Sequence, residues 1–318
     1  MFPVIEIILL ILGLPIIVKS ADLFVDGSSN IAYNLKIPAV IVGLTIVAFG
    51  TSAPEISTSL SLISNNQTAE VVGNIVGSNI FNILAVIGVS TLIGSLVVKK
   101  ELIKRDFPFL IIATLGLFLI AKYIGNLYRS LGIIFLIIII AYVIYLVMEA
   151  RNDKDEMAKE GEIKLSMKKA TIYTVIGLIG IVIGSILVGG NMETITESLG
   201  IKEGIIGFTL IAISTSLPEL ITSINAFKKG EEGLVIGNVL GSSVFNILFI
   251  LGICSLRTTI PLETWVNDIL FMAAATIVFA AFAYTQNEIN KKEGIILLIL
   301  YIAYMSLTCC RKMGILPF

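Results

Sequence analysis

Two glutamates, Glu55 and Glu219, stand in matching stretches, "GTSAPE" (50–55) and "STSLPE" (214–219), each in the middle of a long apolar run. A carboxylate buried in such surroundings is costly unless it is paired, and no Lys or Arg falls at comparable depth in any apolar run of the chain. Its counter-charge must then come from solution, which points to cation binding. The proline before each glutamate removes a backbone N–H, so the carbonyls of Gly50 and Ser214 are expected to lose their helical partners and face the same space. Each proline is also expected to start a new half-helix, capped by the serine or threonine before it, with the glutamate in its first turn. A plain kink with capping glutamates is the bland alternative. The missing basic partner argues against it.

A second motif supplies neutral oxygens. "GNIVGSNIFN" (73–82) and "GNVLGSSVFN" (237–246) place Asn74, Ser78 and Asn82, and Asn238, Ser242 and Asn246, four residues apart. On a helix that spacing makes one polar stripe, while the glycines form a groove against which another helix can pack. Carboxylates, carbonyls, hydroxyls and amides without sulfur or imidazole are a hard-cation inventory. Calcium accepts six to eight such oxygens in flexible geometry, and sodium takes the same ligand types. Cys254, Cys309 and Cys310 show no metal-ligand spacing, and histidine is absent, so any proton coupling would fall to carboxylates.

The elements that must position these groups follow from composition. Hydrophobic residues make up 56% of the 318, charged residues 14%, and the mean hydropathy is +0.98, which excludes an ordinary soluble domain. Runs of about 20 apolar residues, enough to cross roughly 30 Å of hydrocarbon, recur at 3–19, 38–63, 70–95, 107–122, 130–149, 170–190, 204–227, 233–255, 265–285 and 294–310. The fold class expected is an all-α integral membrane protein of ten transmembrane helices. The first run lacks a basic flank and a cleavage site, so it reads as a retained helix. "NQT" at Asn66 reads as an unmodified turn.

The chain is also a repeat. At a shift of 164, residues 43–59 match 207–223 at nine of seventeen positions, and 73–84 match 237–248 at eight of twelve. The shared residues include Thr, Ser, Pro, Glu and Asn, which do not align by apolar composition alone. Five crossings deliver the second copy upside down, so two inverted five-helix repeats, 1–149 and 170–318, are expected on either side of a polar linker, 150–169, with broken helices meeting at the midplane. Lys and Arg divide sixteen to six if both termini lie outside, which places the linker in the cytoplasm of a multi-pass cell-membrane protein. No basic stripe suggests nucleic acid. Lipid and ions are the expected partners, and a monomer is compatible with the sequence.

These motifs resemble the sodium/calcium exchangers of the calcium/cation antiporter superfamily, with two inverted repeats each bearing a G-T-S-x-P-E-type break and a G-N-x-x-G-S-N-type helix. The resemblance implies that Glu55 and Glu219 bind calcium with the carbonyls of Thr51 and Thr215. It further implies sodium sites drawing on the Ala48 and Ala212 carbonyls, Ser52, Ser216, Ser78 and Ser242, with Asn82 and Asn246 lining the middle. Calcium and sodium would be transported ions, and no cofactor or enzymatic activity is implied. Many relatives carry Asp where this chain has Asn246, and in the potassium-dependent branch that Asp accompanies the potassium requirement. Ser214 in place of the glycine matched by Gly50, and Ser243 in place of Asn79, are further departures. The function implied is sodium/calcium antiport by alternating access, helped by sliding of the first and sixth helices. The alternatives are calcium transport coupled to protons or potassium, and a cation channel.

Overall fold

The computed structural model describes residues 3–152, 163–198 and 203–312, with the side chains of 151–152, 192–194, 196–197, 203–212 and 312 set aside. The described residues form ten helical segments in chain order. They are α1 (Val4–Leu35), α2 (Ala39–Ser64), α3 (Thr68–Ile93), α4 (Lys100–Tyr123), α5 (Arg129–Asn152), α6 (Met167–Ser198), α7 (Glu203–Lys228), α8 (Glu232–Arg257), α9 (Val266–Gln286) and α10 (Lys291–Lys312). Among the described residues nine of these are long and apolar enough to span a bilayer, α7 being the tenth by position. Ten of the expected linker residues, 153–162, lie outside the described set.

The helix α1 runs far past the expected end at residue 19. Its extension is amphipathic. Ala21, Phe24, Val25 and Ala32 are buried, whereas Asp22 stays exposed and Asp26 half-buried, both paired with Lys229, so the helix leaves the apolar layer without unwinding. Along its length α1 lies antiparallel to α6, Gly13 meeting Gly184 and Val188 while Gly177 meets Ser20 and Phe24. A methyl on Gly13 would come within 2.8 Å of Val188. Apolar side chains gain little by leaving lipid for one another, so close backbone approach is what holds such a pair.

The inverted repeat is visible in the outer helices. Tyr142 on α5 donates to Asp106 on α4 and stacks on Phe109, and Tyr304 on α10 donates to Asp268 on α9 at 3.0 Å and stacks on Phe271. Two short antiparallel ribbons tie the ends. One joins β1 (Leu96–Val97) to β4 (Glu288–Ile289), the other β2 (Asn126–Leu127) to β3 (Ile260–Pro261), so each pairs a segment of one half with a segment of the other. The centre belongs to α2, α3, α7 and α8. The most apolar window of α3 or α8 is 83% buried, against 17% for α1. Gly237 and Gly241 of α8 receive α2 at Gly43, Leu44 and Ala48, the packing role expected of the G-x-x-x-G groove.

Candidate cation site

Both glutamates are fully buried. In the first copy, Ser52 interrupts the helix (φ −80°, ψ 4°), and Ala53–Ser64 starts anew with Pro54 in its first turn and Glu55 behind it. One expectation for this break needs correction. The Ser52 N–H closes the short helix Ala48–Thr51 on the Ala48 carbonyl at 3.1 Å. Ser52 makes no cap with its side chain. Its hydroxyl instead points across the repeat interface to Glu219 Oε1, at 3.4 Å.

In the second copy the helix passes through Pro218 without a new start, so Glu219 stands inside one continuous helix, α7. Losing one N–H deletes a single bond of the ladder, and the flanking bonds carry the helix on. Wide turns do the re-aiming elsewhere. Segments Gly43–Val47, Phe81–Val86 and Phe245–Ile250 are π-turns, and Asn82 and Asn246 occupy the second position of the latter two. Such turns insert a residue into the helical ladder and re-aim the side chains on it.

The carboxylates are held crosswise. Ser216 of the second repeat donates to Glu55 Oε1 at 3.0 Å, and Ser78 donates to the same oxygen at 3.1 Å. Ser52 of the first repeat serves Glu219. Around them, Thr51 Oγ1 donates to Asn238 Oδ1 at 3.0 Å and lies 3.3 Å from Ser242 Oγ, and Ser242 donates to the Ala48 carbonyl at 3.4 Å. Asn246 Nδ2 donates to Ser78 Oγ at 3.1 Å and to Asn79 Oδ1 at 2.9 Å. Thr215 is buried next to Ser216. Ala212 belongs to the part of α7 that lies outside the described side chains.

Ten of the twelve expected residues are therefore joined by these bonds or adjoin a residue that is, and Asn82 is buried one turn beyond Ser78 on α3. Glu55 Oε2, Glu219 Oε2, Asn246 Oδ1 and both Oδ1 and Nδ2 of Asn82 are buried without a hydrogen-bond partner among the described residues. None of the ion pairs of the described residues includes either glutamate. No group of three or more His, Cys, Asp or Glu occurs among the described residues, so two carboxylates and neutral oxygens are the whole donor set. Buried carboxylate and amide oxygens with unused lone pairs are suited to a hard cation and to little else.

Three contributors escaped the sequence reading. Ser59 and Ser223 accept the Asn74 and Asn238 amides at 3.1 and 3.2 Å, and Asn79 bridges the halves by donating to the Ser243 carbonyl at 3.1 Å. The serines lie inside the aligned repeat, one turn beyond each glutamate, and were legible there. Asn79 faces Ser243 in the repeat alignment, so identity between copies carried no signal for it.

Residues 5–148 and 169–309 match the family described as sodium/calcium exchanger protein. The chain is 38% identical to CaxA of Alkalimonas amylolytica over 94% of its own length and 97% of that protein. It is 29% identical to the sodium/calcium exchanger MaX1 of Methanosarcina acetivorans over 95% and 97% of the two chains. Its fold superposes on a solved structure of the sodium-calcium exchanger NCX_Mj with a TM-score of 0.84 at 31% identity, covering 96% of this chain and 98% of that one. The inverted ten-helix plan and these matches agree: this multi-pass membrane chain belongs to the sodium/calcium exchanger family, a family of transporters.

Proposed function

We propose that the chain exchanges sodium for calcium across the membrane, exposing a two-glutamate cage to one side at a time. The observation that carries this reading is the pair of fully buried, repeat-related carboxylates, each bonded by a serine of the opposite repeat and each keeping one oxygen without a partner. With both ionised the cage bears two negative charges, which one calcium or two sodium ions neutralise, so the two ions compete. Calcium is held by Glu55 and Glu219 with the carbonyls of Thr51 and Thr215. Sodium draws on Ser52, Ser78, Ser216, Ser242 and the carbonyls of Ala48 and Ala212, with Asn82 and Asn246 between them. The halves 1–149 and 170–318 act as the two rocking units, the linker faces the cytoplasm, and both termini lie outside. Close glycine contacts between α1 and α6 favour sliding of that pair past the central helices.

The test is calcium-45 uptake into proteoliposomes under imposed sodium, potassium or proton gradients at clamped membrane potential. Uptake driven by sodium alone supports the reading. Uptake that follows potassium or protons instead replaces the coupling ion, and single-channel currents would replace the carrier with a channel.

A further inference from the structure

The structure assigns Ser59 and Ser223 as positioning residues that fix which end of the Asn74 and Asn238 carboxamides faces the cage, a role that rests on the cation reading above. Each serine is fully buried, stands four residues after its glutamate, and accepts the amide Nδ2 of the asparagine on the facing helix. A carboxamide has a donor end and an acceptor end of nearly equal shape, so only its partners determine its orientation. With Nδ2 tied to the serine, the oxygen is turned the other way. Asn238 Oδ1 then receives Thr51 Oγ1 at 3.0 Å and Ser242 Oγ at 3.4 Å, which orients two hydroxyls beside the Ala48 carbonyl. Asn74 Oδ1 is buried without a partner, and Asn74 Nδ2 also reaches the Glu55 carbonyl at 3.4 Å. A reversed amide would put N–H dipoles where a cation needs oxygen.

The same arrangement occurs twice in copies that have diverged elsewhere, which argues for a shared task. Removing the hydroxyl leaves Nδ2 unsatisfied and free to turn, so Ser59→Ala and Ser223→Ala should each raise the calcium KM roughly tenfold, the effect of one buried hydrogen bond, with a smaller change in maximal rate. Ser59→Thr and Ser223→Thr, which keep the hydroxyl, should restore it. The experiment is sodium-driven calcium-45 exchange by the purified full chain in proteoliposomes, run with wild type and Glu55→Gln alongside. Wild type without exchange refutes the cation reading itself. Wild-type exchange with an unchanged KM in both alanine variants, or a raised KM that threonine fails to restore, overturns the serine assignment alone.

A separate observation concerns one face of the bundle. We infer that Lys229 is a one-sided latch that holds the end of α1 against the α7–α8 turn. Its ammonium lies 2.6 Å from Asp22 Oδ1, 2.7 Å from Asp26 Oδ1 and 2.9 Å from the Asp22 carbonyl, on the wall of a cavity of about 820 Å³. Asn30 and Asn34 bind the backbone at Lys164 and Leu165 near the same end, so the described end of the linker is fastened there too. At the repeat-equivalent positions of the other face stand Asn65, Ile186 and Gly190, which carry no charge. Inverted repeats make the two faces equivalent in packing. A Lys–Asp pair at these positions of one face, with no charge at their equivalents on the other, therefore biases which face closes.

Hydrogen–deuterium exchange of the purified full chain reads this without reference to the transported ion. Lys229→Gln should speed exchange of segment 20–35 about two- to fivefold, as expected for partly exposed pairs, and leave segment 65–70 unchanged. Lys229→Arg should match wild type, and Asp22→Asn with Asp26→Asn should reproduce Lys229→Gln without adding to it. Equal exchange of segment 20–35 in wild type and Lys229→Gln, or loss of protection in Lys229→Arg, overturns the latch.

Discussion

Replacing Glu55 by Gln keeps the shape of the side chain and removes one charge from the cage. The amide oxygen can still accept from Ser216 and Ser78, which now sit 3.0 and 3.1 Å from Glu55 Oε1, so the local hydrogen bonds survive. What is lost is the attraction of a carboxylate for a divalent ion in a site from which water is excluded. Breaking one partner of a buried charge interaction costs about 3–5 kcal/mol, or about two to three and a half decades in calcium affinity. Stability of the calcium-free protein should move the other way. Among the described residues Glu55 has no Lys or Arg partner, so the neutral amide relieves a desolvation cost and the melting temperature should hold or rise. Isothermal titration with calcium, paired with a thermal melt with and without calcium, measures both. Glu219→Gln should behave alike within about tenfold, since the two residues are repeat-equivalent. Wild-type calcium affinity in both variants refutes the reasoning, and a melting temperature that collapses without calcium refutes its assumption that the glutamates are bound for function and contribute no packing that Gln cannot replace.

Other outcomes follow from the same geometry. Calcium binding should weaken as pH falls from about 8 to 5, because a coordinating carboxylate must be deprotonated and the proton competes with the ion; a flat titration contradicts coordination by Glu55 and Glu219. Ser216→Ala deletes a donor shared by Glu55 Oε1 and Ser78 Oγ and should weaken calcium binding about two- to tenfold in the same titration. Asn246→Asp replaces a donor to Ser78 and Asn79 by an acceptor facing Asn79 Oδ1, so the ion-free protein should lose about 1–3 kcal/mol, read as a lower melting temperature that added calcium recovers. Tyr142→Phe removes one donor from buried Asp106 while the Phe109 stacking partner keeps its ring. A loss of about 1 kcal/mol in the melt is expected with no change in calcium affinity, since this cluster belongs to the outer helices.

Legibility varied with the length scale over which each feature is encoded. Helix number, the inverted pairing of halves and the two glutamates rest on apolar run length and on residue types that apolar chance does not duplicate, so they were readable residue by residue. The extent of α1 was not. Asp22 and Asp26 look like the end of a span until Lys229, two hundred residues on, supplies their partner. The breaks were read from the prolines, yet the larger departures are the wide turns at Phe81–Val86 and Phe245–Ile250, which contain no proline and no sequence signal. The two PE copies also diverge in backbone, one interrupted at Ser52 and the other continuous through Pro218.

The sequence by itself determined that this chain lives in a bilayer, that it is two copies of one unit related by inversion, and that two acids without basic partners lie at its centre. Composition, periodicity and internal identity are local properties, and each survives without coordinates. Only the tertiary structure decided how those acids are served: Ser216 to Glu55 and Ser52 to Glu219, each from the opposite repeat. It also decided which amide oxygens keep unused lone pairs, and that Lys229 reaches back to Asp22 and Asp26 of α1. Those are facts about distances between residues far apart in the chain. Hydrogen bonds and ion pairs act over about 3 Å, a separation that no reading of sequence order contains.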